Sequence, residues 1–244
     1  MNYTKVDLIN ELTAIHGHRK YLEICTPTTG NMYSAIDRAR YSTCHRLMYL
    51  CPAEFNDGLP IDFRSSNLDI SECVKAVRAK DLTYDVILVD PFHEYEPSAR
   101  DLREAVDLLN PAGTIIVHDC FPRDGTIAVP QYIDGSWCGV TYKAYLDFGL
   151  ARKDLIFCTI DTDYGCGVIR RNASLSMVQR IVRRALRMIA HDDRSYVAKQ
   201  WMRAGNDYDA AFKLLQMHSG PLLNLVTVDE FLAGERNNTN GPEY

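Results

Sequence analysis

The stretch YDVILVDPFHEYEPSARDLREAVDLLNPAGTIIVHDC, residues 84–120, decides the fold. Its apolar run DVILVD, residues 85–90, is typical of a parallel strand that is buried on both faces. Ser98 is then the predicted N-cap of a helix, and TIIVHD, residues 114–119, is the next buried strand. The helix between them has one apolar face, made of Ala99, Leu102, Ala105, Val106 and Leu109. A strand, a helix and a second buried strand predict a right-handed βαβ unit.

The rest of the chain extends this unit into a larger α/β fold. Helices are predicted at 6–15, 31–39, 71–79 and 176–190, and strands at 20–25, 45–51, 61–66, 155–160 and 166–171, the last two as an antiparallel hairpin. We therefore predict one doubly wound, Rossmann-like α/β domain over 1–172. A helical segment packed on that domain is expected over 173–234, and a frayed tail over 235–244.

Composition narrows the classes of function. The chain has 244 residues and a net charge of −5, so no basic field favours nucleic acid as a partner. No apolar run approaches the ~20 residues of a membrane span, and the charged N-terminal sequence lacks a signal-peptide core. The eight cysteines are scattered without a CxxC pair. They indicate a reducing compartment, and the prediction is a cytoplasmic protein without a disulfide framework.

Three predicted strands carry an acid at or near their carboxyl ends: Glu23, Asp90 and Asp119. Ligands bind outside these ends in an open parallel sheet, where neighbouring strands lie about 4.8 Å apart. Like charges that close repel, so a cationic ligand, a metal ion or a protonated histidine must balance them. His93 and His118 are the nearest histidines in the sequence. One such Asp is often only a cap or turn residue, but three acids with two histidines favour a functional cluster.

The same residues resemble a known family. Residues 90–119 read DPFHEYEPSARDLREAVDLLNPAGTIIVHD, which resembles the DGxHxYExxxxDLxxxxxLLxPGGxIxxHD segment of class I S-adenosylmethionine-dependent methyltransferases, in their small-molecule O-methyltransferase branch. YLEICTPTTGN, residues 21–31, resembles the first glycine-rich motif of that family, usually LEIGxxxGxS. The order of elements is similar over residues 15–170.

This resemblance implies a seven-stranded, mostly parallel sheet with a reversed last strand, and S-adenosylmethionine lying over the first strands. It places Glu23 at the methionine end of the cofactor and Gly30 where the backbone approaches it. Asp90 would lie near the methionine moiety or near a metal ion.

Two residues depart from the family pattern in the cofactor region. Cys25 replaces the first glycine of the motif, and Cys51 stands where an acid usually binds the ribose hydroxyls. Glu54 is close enough in sequence to substitute for that acid. A hydrogen bond from a hydroxyl to a charged acid is worth roughly 1.5–3 kcal/mol, so its loss would weaken cofactor binding.

Metal-dependent members of the family hold a divalent ion at the ends of the same two strands. The resemblance puts Asp90 and Asp119 in those positions, with Mg²⁺ or Mn²⁺ as the ion. The next ligand is usually Asp or Asn, but here it is Cys120, a poor ligand for Mg²⁺. His93 or His118 could complete the site, and histidine favours a softer ion. Metal dependence stays open at this point.

If the chain transfers methyl groups, a base must take the proton of the acceptor, and histidine suits that role near neutral pH. His93 and His118 are the candidate bases, with Asp119 as the residue that orients them. Trp137 and Tyr142 are the predicted walls of a pocket for a small hydroxylated acceptor, such as a sugar or a secondary metabolite.

Two other functions remain open. One is a methyltransferase-fold enzyme of another reaction class that has lost the usual cofactor, and the other is a non-catalytic binding protein. A homodimer is also left open. A dinucleotide dehydrogenase is disfavoured because EICTPTTG, residues 23–30, lacks GxGxxG spacing.

Overall fold

The computed structural model describes residues 3–29, 32–172 and 191–239. An eight-stranded sheet runs through it in the order β3-β2-β1-β4-β5-β7-β6-β8. The strands are β1 Lys20–Cys25, β2 Thr43–Met48, β3 Phe63–Arg64, β4 Tyr84–Asp90, β5 Leu109–Val117, β6 Leu155–Ile160, β7 Cys166–Arg171 and β8 Leu225–Val226. Only β7 runs against its neighbours, β5 and β6, while the other pairs are parallel.

The predicted mostly parallel sheet with a reversed strand in a hairpin is therefore confirmed. The sheet has eight strands rather than the predicted seven, because β8 adds to the outer edge of β6. This strand has two residues, too few for the alternation of side chains that reveals a strand in a sequence.

Helices cover both faces of the sheet, as a doubly wound fold requires. They are α1 Lys5–His16, α2 Ser71–Ala79, α3 Tyr95–Leu108, α4 Thr141–Ala151, α5 His191–Ala204, α6 Tyr208–Met217, α7 Ser219–Leu223 and α8 Val228–Thr239. Strand β4 shows why its sequence is apolar throughout. Its Ile87 and Val89 join the core under α2 and α3, and its Val86 and Leu88 join the core under α1 and α8.

Two local predictions are wrong. The helix predicted at 31–39 is replaced, in the described part, by single-turn 3-10 helices at Met32–Ser34 and Arg38–Arg40. Short polar side chains such as Asp37 compete with helical backbone bonds, and this carboxylate instead accepts a hydrogen bond from Arg40. Helix α3 begins at Tyr95 rather than after Ser98, because a proline is tolerated in the first helical turn.

Other predictions concern the C-terminal part of the chain. The helix predicted at 176–190 lies outside the described residues. Helix α8 continues to Thr239, five residues into the segment 235–244 for which a frayed tail is predicted.

Within the described ranges, no helix combines the length and apolarity that a membrane span needs.

The strand order fixes where a ligand can bind. The chain builds outward from β1 to β2 and β3, then returns to place β4 on the other side of β1. Such a reversal opens a crevice at the carboxyl ends of the two central strands. Register pairs Cys25, the last residue of β1, with Asp90, the last residue of β4. The candidate site lies at this edge.

Candidate functional site

Four of the predicted site residues meet at the carboxyl ends of β4 and β5. Asp90 ends β4, His93 lies in the turn before α3, and His118 and Asp119 directly follow β5; all four side chains are buried. His93 Nε2 lies 3.4 Å from Asp90 Oδ1 and 3.1 Å from Asp119 Oδ2. His118 Nδ1 lies 3.5 Å and 3.2 Å from the same two oxygens. Each imidazole therefore bridges the two carboxylates.

The structure adds two residues that sequence reasoning missed. The Lys5 ammonium, on the first turn of α1, lies 3.0 Å from Asp90 Oδ2. Asp163, in the β6–β7 turn, places Oδ1 3.4 Å from His118 Nε2. Its other oxygen accepts a hydrogen bond from the Lys5 backbone N–H at 3.0 Å. No sequence pattern links an N-terminal lysine with a distant hairpin turn, so only the folded chain reveals them.

Mutual electrostatics keeps this cluster ionised. Burial acts to raise the pKa of Asp90, but Lys5 and His118 outweigh it and hold that pKa well below its ordinary value. Burial acts to lower the pKa of His118, but the charges of Asp119 and Asp90 outweigh it, and the pKa rises well above its ordinary value. The pKa of His93 is raised for the same reason. We call these residues the ionic cluster: Lys5, Asp90, His93, His118, Asp119 and Asp163.

The backbone around His93 holds its ring in one orientation. Its Nδ1 is hydrogen-bonded to the Trp137 carbonyl, which turns Nε2 toward Asp90 and Asp119. The Val140 N–H donates to the His93 carbonyl at 2.8 Å. Gly139 lies against that carbonyl with a positive φ of 56°, and a Cβ there would collide with it. The sequence segment after Trp137 therefore positions His93.

Glu23 is buried, and within the described residues its hydrogen-bond partner is Tyr21 rather than a member of the ionic cluster. It stands opposite Leu88 in the register, two residues before the end of β1, so it is set back from the strand ends where Asp90 lies. The Tyr21 hydroxyl donates to its Oε2 at 3.1 Å, while its Oε1 has no hydrogen-bond partner among the described residues. Burial raises the pKa of Glu23 to about 7. Asp90 and Asp119 share one rim, and the charge of Asp90 also contributes to the raised pKa of Glu23, although Glu23 forms no ion pair with the cluster among the described residues.

The end of β2 is apolar where a ribose-binding acid was considered. Cys25 and Cys51 are buried and pack with Met48 in a small cluster. The Cys51 thiol faces the Pro52 carbonyl at 3.8 Å, and Glu54 is exposed. Gly30, the other predicted contact for the cofactor, lies outside the described residues.

Of the two predicted pocket walls, only Trp137 lies beside the cluster. Its ring centroid is 5.3 Å from that of His93, and also 5.3 Å from that of the half-exposed Tyr132. Tyr142 is fully buried, and its hydroxyl donates to the Tyr208 carbonyl at 3.2 Å. The prediction for Tyr142 is wrong, because the side chain packs in the helical core.

The donor atoms can be compared with the needs of a divalent ion. Asp90, His93 and Asp119 each offer one ligand atom, and these atoms all lie within 4.8 Å of one another. The same atoms already pair with one another, and the Lys5 ammonium takes the second oxygen of Asp90. The Cys120 thiol faces the Val117 carbonyl at 3.4 Å, away from a ligand role. A further nitrogen donor, His118 Nδ1, lies 3.5 Å from Asp90 Oδ1 and 3.2 Å from Asp119 Oδ2, but it too is paired with these carboxylates.

Comparisons with known proteins return solved structures only. No protein-family model and no curated protein matches this chain. A putative O-methyltransferase from Klebsiella pneumoniae is 17% identical, covers 68% of this chain and 78% of its own length, and has a TM-score of 0.49. TomG from Streptomyces achromogenes, an O-methyltransferase solved with S-adenosylmethionine, is 14% identical over 67% of this chain and 78% of its own, with a TM-score of 0.48. An O-methyltransferase from Bacillus cereus in complex with S-adenosylhomocysteine is 17% identical. The match covers 66% of this chain and 77% of the other chain, with a TM-score of 0.47.

Proposed function

We propose that this protein is an S-adenosylmethionine-dependent O-methyltransferase acting on a small hydroxylated molecule. The observation that supports it most directly is the ionic cluster at the crevice between β1 and β4, where the strand order reverses. Buried imidazoles paired with carboxylates at such a crevice are the groups that accept a proton from a hydroxyl. The chain supplies this chemistry at the place where its fold binds ligands.

Each histidine has a different role in this proposal. O-methylation requires an acceptor oxygen held about 3 Å from the methyl carbon and a base that takes its proton. His118 lies between Asp90, Asp119 and Asp163, which keep it protonated, so it acts as a fixed positive charge. His93 carries the base role, with Asp119 orienting its Nε2. Because the hydrogen bond with Asp90 and the charges of Asp119 and Asp90 raise the pKa of His93, we expect methyl transfer to increase with pH, with its midpoint above that of an ordinary histidine.

The cofactor would supply the methyl group on a sulfonium centre. Glu23 fits its cationic methionine end, since Glu23 Oε1 is a buried acceptor that lacks a partner in the described part of the chain. Asp90 lies at the same crevice and is the second candidate contact. The end of β2 fits the ribose less well, because Cys25 and Cys51 are apolar there and Glu54 is exposed. Binding must therefore rest mainly on the methionine end.

The deciding experiment is isothermal titration with S-adenosylmethionine and S-adenosylhomocysteine. The proposal requires a saturable heat with both ligands for the wild-type protein, and weaker binding for Glu23→Gln. Glu11→Gln is the matched control, since Glu11 pairs with Arg236 and is not among the predicted site residues, so the same chemical change there should leave affinity unchanged. His93→Ala should retain ligand binding and lose methyl transfer. No heat with either ligand at millimolar concentration would refute the proposal.

A second candidate rests on the apolar cluster of Cys25, Met48 and Cys51. This cluster fills the region expected to contact ribose, which favours an enzyme of another reaction class on the same fold.

In both cases the proposed setting is a cytoplasmic enzyme with a small-molecule substrate and no nucleic-acid partner. We also propose that residues 1–172 form the catalytic domain and that 173–234 pack on it.

A further inference from the structure

The N-terminal end of α1 is fixed to the β6–β7 turn. The Thr162 hydroxyl is hydrogen-bonded to the Tyr3 carbonyl, and Asp163 accepts from the Lys5 N–H at 3.0 Å. Thr4 and Asp7 form a capping box that starts the helix at the next residue. These contacts aim the Lys5 side chain into the crevice, where it is 7% exposed. A lysine has about 2 kcal/mol of rotamer entropy to lose on such ordering, so its burial here needs a partner.

That partner is Asp90, and the charges of the cluster then balance. Asp90, Asp119 and Asp163 contribute three negative charges, while Lys5, His93 and His118 contribute three positive ones when the imidazoles are protonated. The Asp90 carboxylate is 1% exposed, so its charge must be matched by groups of the protein or by a ligand.

We propose that Lys5 is a resident cation, whose ammonium occupies the place of a divalent ion at Asp90 and keeps such ions out of the ionic cluster. A divalent ion bound to Asp90 and Asp119 would meet the Lys5 ammonium 3.0 Å from one of its ligand atoms. It would also have to separate His93 Nε2 from the two carboxylate oxygens that it faces at 3.4 Å and 3.1 Å. Both steps oppose the ion, and a compact point charge such as an ammonium suits this role. The inference rests on the geometry of the cluster and stands whether or not the enzyme transfers methyl groups.

The test is a titration with Mn²⁺ alone. Binding is measured by calorimetry and by the electron paramagnetic resonance signal of the free ion. We expect no saturable binding to the wild-type protein at neutral pH. Lys5→Met keeps an unbranched side chain, one heavy atom shorter, and removes its charge. It should bind one Mn²⁺ with a Kd about a hundredfold or more below the highest concentration at which the wild type shows no saturation, since a unit charge this close to a carboxylate is worth roughly two or more powers of ten.

The matched control is Lys143→Met. Lys143 is also a buried lysine, paired with Asp147 on α4, away from the cluster. Its substitution should leave Mn²⁺ binding absent. Tight Mn²⁺ binding by the wild type, or equal binding by the wild type and Lys5→Met, would overturn the proposal.

A second variant covers the risk that Lys5→Met does not fold, because it leaves the Asp90 carboxylate buried without its cation. The double variant Lys5→Met/Asp90→Asn removes both charges and should fold without binding Mn²⁺. If Lys5→Met is recovered, Mn²⁺ should raise its melting temperature and leave that of the double variant unchanged. If it is not recovered, Lys5→Gln, whose amide can still donate a hydrogen bond to Asp90, replaces it in the titration: Mn²⁺ binding by this variant supports the resident cation, and absence of binding refutes it. Titration with S-adenosylmethionine reports on the proposed function separately.

Discussion

Glu23→Gln should make the protein more stable in alkaline buffer, which is unusual for the removal of a buried charged group. The Glu23 side chain is fully buried, and burial raises its pKa from 4.5 to about 7. Its folded-state pKa therefore lies above its unfolded-state pKa. Between these values the unfolded chain gives up its proton while the folded protein retains it. Stability is present below the lower pKa and is lost as the pH rises toward the upper one.

The size of the effect follows from the same shift. A difference between 4.5 and about 7 corresponds to about 3 kcal/mol, fully expressed above pH 7. Glutamine carries no such penalty, and its amide oxygen can still accept the hydrogen bond from Tyr21. We compare the free energy of unfolding of Glu23→Gln with that of the wild type at each pH. This difference should be about 2.5 kcal/mol more favourable to the variant at pH 8 than at pH 5.

Urea denaturation at these two pH values measures the gain directly. Glu54→Gln serves as the control, because Glu54 is exposed and the same chemical change there should leave the free energy of unfolding nearly constant. A loss of stability at pH 8, or a gain that is the same at both pH values, would show that Glu23 is ionised in the folded protein. The argument for a protonated Glu23 would then be wrong.

Two further predictions concern the residues that hold the His93 turn in place. Tyr49→Phe removes a hydroxyl that donates to Asp101 at 2.8 Å and accepts a hydrogen bond from the Phe92 N–H, next to His93. We expect urea denaturation to show a loss of about 1–3 kcal/mol in the free energy of unfolding. An unchanged stability would contradict this prediction. Gly139→Ala should cost about 3 kcal/mol or more, since it combines a positive φ with a collision against the His93 carbonyl. Gly135→Ala shares the positive φ without any close neighbour, so equal losses at both glycines would refute the collision.

Much of the fold could be predicted because its signals are local. The continuous apolar run of β4 predicts a strand buried on both faces, and the structure divides its side chains between two cores. The residues that follow β4 and β5 could be identified for the same reason, since a strand end is visible in the sequence. Asp90, His93, His118 and Asp119 all lie within a few residues of such an end.

What could not be predicted depends on contacts between distant elements. Lys5 reaches Asp90 only because α1 packs beside the β6–β7 turn, and no periodicity records that contact. The position of Glu23 depends on strand register, which pairs it with Leu88 rather than with Asp90. A register offset of two residues corresponds to about 7 Å along a strand, so Glu23 feels the charge of Asp90 without forming an ion pair with it among the described residues.

The positions of Lys5 and Glu23 change which group of the protein selects a charged ligand. Repulsion between strand-end acids predicts a positively charged ligand, but Lys5 and the two histidines, when these are protonated, balance the charges of the three aspartates. A ligand that enters the crevice therefore gains little by bringing a positive charge to Asp90. Glu23 differs, because a pKa of about 7 leaves it half ionised at neutral pH, with one oxygen that lacks a partner in the described structure. A cation beside Glu23 would stabilise its ionised form and release a proton. Selection for a cationic cofactor thus falls to Glu23, and its binding should strengthen as the pH rises through 7.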